Sequence, residues 1–403
     1  MSGSAPLART RLWRLGLELP PRAQVCAAFF LYAFSFGGFF PRLAELQRSM
    51  GVGEGVFGLA LIGTAAGTLL TLTLGAPWIA RLGSRHTLLG LLPLIPLGYV
   101  AATFVATPWA MFLCLFPSGL LIGAVEVAVN LEADRLEHAL GERVMNRSHA
   151  FWSLGFFSAA GFGALMAHWQ ISPQANLILV FALDAVGSIL LLGRFAPAAL
   201  RASDQALHAN AAAPVPLFCA PTPAILKILL VVLGAMVLEG AGFDWSAIYM
   251  RNVYAASPFL GGVAVALGAA AQALTRYFAD GFVERYSPVL VARTLLAVLA
   301  LRCLLVFAQS GIALSLLGFA LMGVGTSVMF PLAMSAAARR NDRPAAVNVA
   351  SMAQTAFGLY LLAPPLLGMV AQHFGVGWSF GIVLPMVLLG LLLVHALEPA
   401  PAP

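Results

Sequence analysis

The sequence predicts an all-α membrane protein with twelve transmembrane helices, and three observations lead to this fold class. Of the 403 residues, 61% are hydrophobic and only 9% are charged, whereas about a quarter of the residues of a soluble domain are charged. Apolar runs of roughly 20 residues, long enough to cross a hydrocarbon core, recur along almost the whole chain. The basic residues stand mainly in the short connections between these runs. The lipid bilayer is therefore the expected surrounding of the outer surface.

The apolar runs form two sets of six. The first set predicts spans 1 to 6 at residues 24–43, 55–79, 87–107, 109–134, 145–169 and 175–196. The second set predicts spans 7 to 12 at residues 223–250, 257–279, 288–308, 311–337, 345–370 and 376–397. We expect two six-helix bundles at 23–196 and 223–397, an Ala/Pro-rich linker at 197–222, and short tails at 1–22 and 398–403.

The positions of the basic residues predict the orientation, because Arg and Lys are retained on the cytoplasmic side during insertion. All but four of the 22 basic residues are assigned to connections and tails on one side. Arg42, Arg48 and Arg251 fall on the other side, and Arg302 lies within span 9. We expect a monomer in the cytoplasmic (inner) membrane with both termini in the cytoplasm.

Several function classes are excluded by what the sequence does not contain. The net charge of +6 comes from scattered arginines and not from a basic groove with stacking aromatics, so no nucleic-acid partner is expected. The four cysteines are far apart and form no CxxC pair, which argues against a disulfide framework or a metal site. The sequence has no GxxxxGK[ST] phosphate loop and no GxSxG or HExxH signature. We therefore expect no ATP hydrolysis, no enzyme activity and no cofactor.

The sequences of the two halves are weakly similar, since Arg81 and Arg285 occupy equivalent positions in the loop after the second span of each half. Twelve spans in two halves, together with this Arg-x-Gly type of loop, resemble the major facilitator superfamily over nearly the whole chain. That resemblance implies two pseudo-symmetric bundles that transport a solute. The superfamily's loop motif has an Asp before the arginine, whereas this chain has Ala80.

Two further stretches strengthen the resemblance. The segment from Leu238 to Ser246 and the segment from Glu126 through Asn130 to His149 resemble a subgroup of bacterial inner-membrane members of the superfamily. The Glu126-x-x-x-Asn130 spacing is also similar to that of sugar/proton symporters of the fucose-permease type. This likeness implies proton coupling at the glutamate, although span 1 lacks the acid that those symporters carry there.

Acids inside spans need a reason to exist, because a charge at the centre of a membrane helix costs at least ~2.5 kcal/mol. Glu126 and Asn130 are four residues apart in span 4 and so share one helix face. We predict a role in proton coupling or substrate binding for this pair. The alternative is a hydrogen bond that joins neighbouring helices.

Span 7 carries two acids, Glu239 and Asp244, which lie about 140° apart on a helix. Gly240 and Gly242 lie between them, and an unwound helix there could expose backbone groups to a substrate. The alternative is close glycine packing, with Asp244 capping or pairing with Arg251. Both readings stay open at this stage.

His149, Trp152 and Ser153 share one face of span 5 and suit the wall of a cavity. A gate or a structural hydrogen bond is an equally good reading of His149. Asp184 in span 6 and Arg302 in span 9 are expected to be structural. Arg302 would extend toward the outer surface, and Asp184 would find a hydroxyl or backbone partner in its own half.

The loops after spans 2 and 8 are candidates for charge latches that hold one access state closed, with a role in topology alone as the alternative. Their candidate residues are Arg81, Gly83, Arg85, Glu284 and Arg285.

These observations predict a secondary transporter that moves a small solute by alternating access, with coupling to protons and a cavity lined by spans 1, 4, 5, 7, 10 and 11. The partners are then a small-molecule substrate, protons and the lipid bilayer. One alternative is a facilitator without a coupling ion. Another is a membrane-embedded enzyme or sensor on a transporter-like bundle.

Overall fold

The computed structural model describes residues 16–142, 144–199 and 219–398. Within these ranges eleven helices are long and apolar enough to cross a membrane. In the first half these are span 1 at Pro21–Gly37, span 2 at Glu54–Leu74, span 4 at Pro108–Leu140, span 5 at Met145–His168 and span 6 at Pro173–Leu192. In the second half they are span 7 at Pro223–Tyr254, span 8 at Pro258–Arg285, span 9 at Pro288–Phe307, span 10 at Ile312–Thr326 and Met329–Ala338, span 11 at Ala345–Phe374, and span 12 at Val376–Gly381 and Leu384–Leu393. The predicted all-α membrane fold is confirmed.

Most of the predicted N-terminal tail and linker falls outside the described ranges, so the bounds of the two halves stay predictions. We call the side of the bundle at which spans 1 and 7 begin the terminal side, and the opposite side the far side. Short helices cover both ends of the first half: Leu43–Met50 lies on the far side between spans 1 and 2, and Ala76–His86 follows span 2 on the terminal side.

Span 3 is the predicted span that is missing from these eleven, and it is the most interrupted of the described spans. It consists of a π-helical turn at Thr87–Leu91, a 3-10 turn at Leu92–Leu94 and a short α-helix at Ile95–Ala102. Pro93 and Pro96 explain the breaks, because a proline inside a helix removes a backbone donor and its ring clashes with the preceding turn. The chain therefore crosses in pieces here.

Five spans begin with the same two-residue pattern, in which a Ser or Thr caps the helix and a Pro takes the first helical position. Each cap oxygen accepts a hydrogen bond from the backbone N–H three residues on, and the fixed φ of proline suits the first turn. The pairs are Thr107-Pro108, Ser172-Pro173, Thr222-Pro223, Ser257-Pro258 and Ser287-Pro288. The chain thus specifies where these helices start.

The two halves meet along two pairs of helices, span 5 against span 8 and span 2 against span 11. Glycine permits the close approach. A Cβ on Gly58 would lie 2.6 Å from the carbonyl oxygen of Pro364 in span 11, and a Cβ on Gly262 would lie 2.6 Å from the Cβ of Ala164 in span 5. Small residues at such contacts let membrane helices pack backbone to backbone.

Polar contacts join the halves on the far side. Arg251 donates to the backbone oxygen of Ala44 and, over 2.5 Å, to Oε1 of Gln47. Asn252 donates to Glu54 over 2.8 Å, and the backbone N–H of Gly55 donates to Gln372 over 3.1 Å. The hydrogen bonds that the described residues make between the halves lie at these positions or near Ser153. This conformation is therefore closed on the far side.

Large apolar side chains cover the outer surface, as expected for a protein surrounded by lipid. Trp78, Trp109, Trp169 and Trp378 are all exposed and stand at or near helix ends, where tryptophan commonly marks the membrane interface. Trp245 does not belong to this group. It is fully buried and packs against Gly368 of span 11, so it does not anchor the protein at the membrane interface.

Two buried charges differ from what the sequence suggested. Arg302 does not extend toward the surface: it is fully buried, with its guanidinium 4.5 Å from the ring centre of Phe380 and 5.7 Å from that of Phe319. Asp184 is also fully buried, and neither of its carboxylate oxygens has a hydrogen-bond partner among the described residues. The expected hydroxyl or backbone partner of Asp184 is therefore absent there.

Candidate functional site

Glu126 and Asn130 form a hydrogen-bond network with spans 1 and 5, and Glu126 lies close enough to Arg276 of the second half to interact with its charge. Nδ2 of Asn130 donates to Oε1 of Glu126 over 2.9 Å, and Oδ1 of Asn130 is 3.1 Å from Nε2 of His149. The Tyr32 hydroxyl also hydrogen-bonds the Glu126 carboxylate. Since the amide nitrogen of Asn130 donates to Glu126, its oxygen accepts and Nε2 of His149 carries the proton. We call these four residues the Glu126 network.

Glu239 is the centre of a second network in the other half. Its Oε1 accepts from Gln272 over 2.7 Å and from Nη2 of Arg276 over 3.1 Å, and its Oε2 accepts from the Tyr360 hydroxyl over 2.8 Å. The side chains of Arg276 and Glu239 are only 14% and 12% exposed, so they form a nearly buried ion pair. We call these four residues the Glu239 network.

Arg276 connects the Glu239 network to the first half of the molecule. Its Nη1 donates to Oγ of Ser153 over 3.0 Å, and its guanidinium lies 5.9 Å from the Trp152 ring centre. The third nitrogen, Nε, donates to the backbone oxygen of Ser327 over 2.8 Å. One cation therefore contacts spans 5, 7 and 10 while belonging to span 8.

Sequence reasoning missed Arg276 because it counted this residue with the basic loops of the terminal side. The structure corrects that assignment: span 8 continues as a helix to Arg285, which places Arg276 about two turns inside it. The signal was available, because an arginine stands within the apolar run at 257–279. Tyr32, Gln272 and Tyr360 were missed too, since a single neutral residue in a span carries no comparable signal.

Aromatic rings close the passage between the halves on its far side. The ring centres of Phe156 and Phe243 are 4.3 Å apart, and Phe40 lies 5.3 Å from Phe156 and 5.9 Å from Phe243. Phe40 and Phe156 belong to the first half and Phe243 to the second, so this contact separates when the halves do. We call these three residues the aromatic plug. Trp152 stacks on it at 5.8 Å from Phe156.

Asp244 stands next to the aromatic plug and has no hydrogen bond to any described residue. It does not pair with Arg251, because that guanidinium is bound to Ala44, Gln47 and Asn252. Asp244 is partly exposed and lies near enough to Tyr99 of span 3 for an electrostatic interaction. Its carboxylate therefore faces the first half across the passage.

Span 7 is a continuous helix through this region, so its glycines do not unwind it. A Cβ on Gly242 would lie 2.6 Å from the sulfur of Met322, and Gly240 approaches the Tyr360 ring. Close packing, the second of the two readings of these glycines, is what the structure shows.

The contacts described for the proposed charge latches stay within one half in this conformation. Arg85 donates to the backbone oxygens of Phe195 and Gly193 at the end of span 6. Arg81 lies over Trp78, and Arg285 over Tyr286. Gly83 has a φ of 76°, which breaks the short helix between spans 2 and 3. The Glu284 side chain lies outside the described part of the structure. A latch between the halves stays a prediction for the state that is closed on the terminal side.

Nothing in the described ranges brings together three His, Cys, Asp or Glu side chains in a way that could hold a metal ion. The described residues between the halves instead include the carboxylates of Glu126, Glu239 and Asp244, the guanidinium of Arg276, the His149 ring and several aromatic rings. Such a surface can bind a small polar solute and move a proton between hydrogen-bonding groups.

Comparison with known proteins agrees with this architecture. An uncharacterised transporter, y4wD, of Sinorhizobium fredii is 28% identical over 378 residues, covering 91% of this chain and 95% of the relative. An uncharacterised MFS-type transporter of Yersinia pestis is 26% identical over 364 residues, covering 90% of this chain and 91% of the relative.

Solved structures share the fold at low sequence identity. The nucleoside transporter NupG superposes with a TM-score of 0.66 at 16% identity, covering 94% of this chain and 98% of NupG. A D-xylose-proton symporter gives 0.67 at 12% identity, with 94% and 97% covered. The model of the Major Facilitator Superfamily matches residues 25–360, with a second match over 228–403. The chain therefore belongs to the major facilitator superfamily, a family of multi-pass membrane transporters and not of enzymes.

Proposed function

We propose that the protein is a secondary transporter that couples the movement of a small solute to protons, with Glu126 as the protonation site. The observation that carries the proposal is the Glu126 network, a carboxylate within a membrane span that faces the passage between the halves. Burying an acid within a membrane span costs free energy, so acids there usually have a function. The names of two solved neighbours, a nucleoside transporter and a D-xylose-proton symporter, support a small solute as cargo.

The network gives the proton a route to neighbouring groups. Asn130 and Tyr32 both donate to Glu126, an arrangement that suits an ionised carboxylate. A proton on Glu126 turns one carboxylate oxygen into a donor and removes the negative charge, so the hydrogen bond from Asn130 weakens. Because Asn130 also accepts from His149, the change passes from span 4 to span 5.

The Glu239 network supplies the contact that changes with conformation. Arg276 holds Glu239 in its own half and Ser153 in the other half. Arg276 also lies close enough to Glu126 to interact with its charge. Protonation of Glu126 removes that attraction, and the contact across the passage weakens. The two halves then rock so that the aromatic plug opens and the terminal side closes.

In this proposal the terminal side faces the cytoplasm, as the basic residues of the loops indicate, and a monomer is sufficient. The conformation described here is then the inward-facing one. The latch residues Arg81, Arg85 and Arg285 make their contacts between the halves in the opposite, outward-facing state.

The experiment uses purified protein in liposomes that contain a pH-sensitive dye. A panel of small solutes is added outside, and a transported solute produces proton movement together with its own uptake. Glu126→Gln is expected to abolish solute-driven proton movement while exchange of solute across the membrane continues. Asp184→Asn is the matched control, because Asp184 is also a buried acid in the first half but lies away from the passage.

Two outcomes would contradict the proposal. If Glu126→Gln retains proton-driven uptake at the wild-type level, Glu126 is not the coupling site. If wild-type uptake is unchanged when the proton gradient is collapsed, the protein is an uncoupled facilitator in which Glu126 and Glu239 only bind the solute.

A further inference from the structure

The charged groups that face the passage differ in whether other protein groups already bind them. This difference indicates the charge of the substrate. Among the described residues, the carboxylates of Glu126, Glu239 and Asp244 and the guanidinium of Arg276 face the passage. Each of the three guanidinium nitrogens of Arg276 already has a partner in the protein. An anionic solute would therefore find three acids and, in Arg276, a cation whose nitrogens are already occupied.

Two of the three carboxylates already accept hydrogen bonds from the protein. Glu126 accepts from Asn130 and Tyr32, and Glu239 accepts from three side chains of the Glu239 network. Asp244 differs, because no described residue donates a hydrogen bond to it. Its carboxylate is the one acid of the passage that is left for a donor or cation from outside the protein.

The surroundings of Asp244 are apolar and aromatic. The residue directly before it, Phe243, packs against Phe156 at 4.3 Å, and Trp152 continues the ring surface on the first half. Water competes poorly in such a place, so a carboxylate there attracts a cation more strongly than an exposed acid does. Aromatic faces attract cations as well, through the negative charge of their π-systems.

We infer that the substrate is a small organic cation, whose ammonium group pairs with Asp244 and whose carbon skeleton packs against the partly exposed rings of Phe243 and Trp152. The inference deepens the proposed function, since it takes the passage as the substrate's route. It also assigns different tasks to the acids: Glu126 carries the proton, Glu239 holds Arg276, and Asp244 holds the substrate.

The test is equilibrium binding to the full-length protein in detergent, measured by calorimetry. The probes are matched triples that place an ammonium, a hydroxyl or a carboxylate on the same small skeleton, such as 2-phenylethylammonium, 2-phenylethanol and 3-phenylpropanoate. Binding is expected from ammonium members of the triples. Asp244→Asn is expected to weaken that binding at least tenfold, while Asp244→Glu retains the preference for ammonium.

Asp184→Asn again serves as the control, and it should leave binding unchanged because Asp184 is enclosed within the first half. The inference is overturned if the binders are neutral or anionic, if no ammonium member binds, or if Asp244→Asn binds ammonium as tightly as the wild type. Binding in detergent needs no proton gradient. A failure of coupling at Glu126 would thus appear in the liposome assay alone, and the two proposals fail separately.

Discussion

Replacing Arg276 by Met should destabilise the protein strongly, since it leaves Glu239 without its cation. The two side chains are 14% and 12% exposed, and their atoms are 3.1 Å apart. Removing one partner of a buried ion pair costs ~3–5 kcal/mol. Glu239 would keep its hydrogen bonds from Gln272 and Tyr360, so we expect the lower end of this range, roughly 3 kcal/mol in the free energy of unfolding.

The assay is equilibrium unfolding in mixed detergent micelles, read by tryptophan fluorescence. Arg285→Met is the matched control: this arginine is exposed on the same helix, and its loss should change the free energy of unfolding by less than about 0.5 kcal/mol. The double variant Arg276→Met/Glu239→Gln removes both charges, and it should recover much of the stability. The reasoning is refuted if Arg276→Met is as stable as Arg285→Met, or if the double variant is no more stable than Arg276→Met.

Three further predictions follow from packing, titration and burial. Gly58→Ala places a Cβ 2.6 Å from the oxygen of Pro364 and should push spans 2 and 11 apart. The distance between spin labels on the far ends of these two spans, measured by electron paramagnetic resonance, should therefore increase. Gly90→Ala is the control, because Gly90 has open space around it and the distance should not change. The hydroxyl of Thr222, just before span 7, donates a hydrogen bond to Asp342 and lowers the pKa of that carboxyl, which lies outside the spans. A carboxyl with a lowered pKa stabilises the fold above the unfolded-state pKa of about 3.9, and this stabilisation is lost as the pH falls through the folded-state pKa. The wild type should therefore lose more stability than Asp342→Asn between about pH 5 and about pH 2 in acid unfolding. Equal losses in the two proteins would contradict this. Arg302→Met should keep or raise the free energy of unfolding in denaturant titrations, because Nε and Nη1 of Arg302 lack hydrogen-bond partners among the described residues. A decrease of more than ~1 kcal/mol in the free energy of unfolding would show that the contacts of Arg302 with the Phe319 and Phe380 rings outweigh the cost of burying its charge.

The fold was predictable from the sequence because a bilayer imposes a simple length requirement. A run of about 20 apolar residues has one economical conformation in lipid, a helix that satisfies its own backbone groups. Eleven of the predicted spans are long apolar helices in the described residues, and Pro93 and Pro96 account for the interruptions of span 3. Helix starts were encoded locally as well, in Ser-Pro and Thr-Pro pairs such as Ser172-Pro173.

The candidate site was predictable only in part. Glu126, Glu239 and Asp244 could be recognised one at a time, because each is a charge in an apolar run. Their partners could not, since Tyr360 reaches Glu239 from another helix and the relative rotation of two helices depends on packing over their whole length. Arg276 shows a different limit. A basic residue near the end of an apolar run can belong to a loop or a helix, and only the length of the folded helix decides between them.

The ring contact between Phe156 and Phe243 also bears on leakage. Protons cross a membrane readily along an unbroken file of water and hydrogen-bonding groups, and hydrophobic constrictions interrupt such files by dewetting. Here three phenylalanine rings, which have no hydrogen-bonding groups, lie on the far side of Glu239 along the passage. A barrier of this kind limits the leak of protons through the closed far side of the protein.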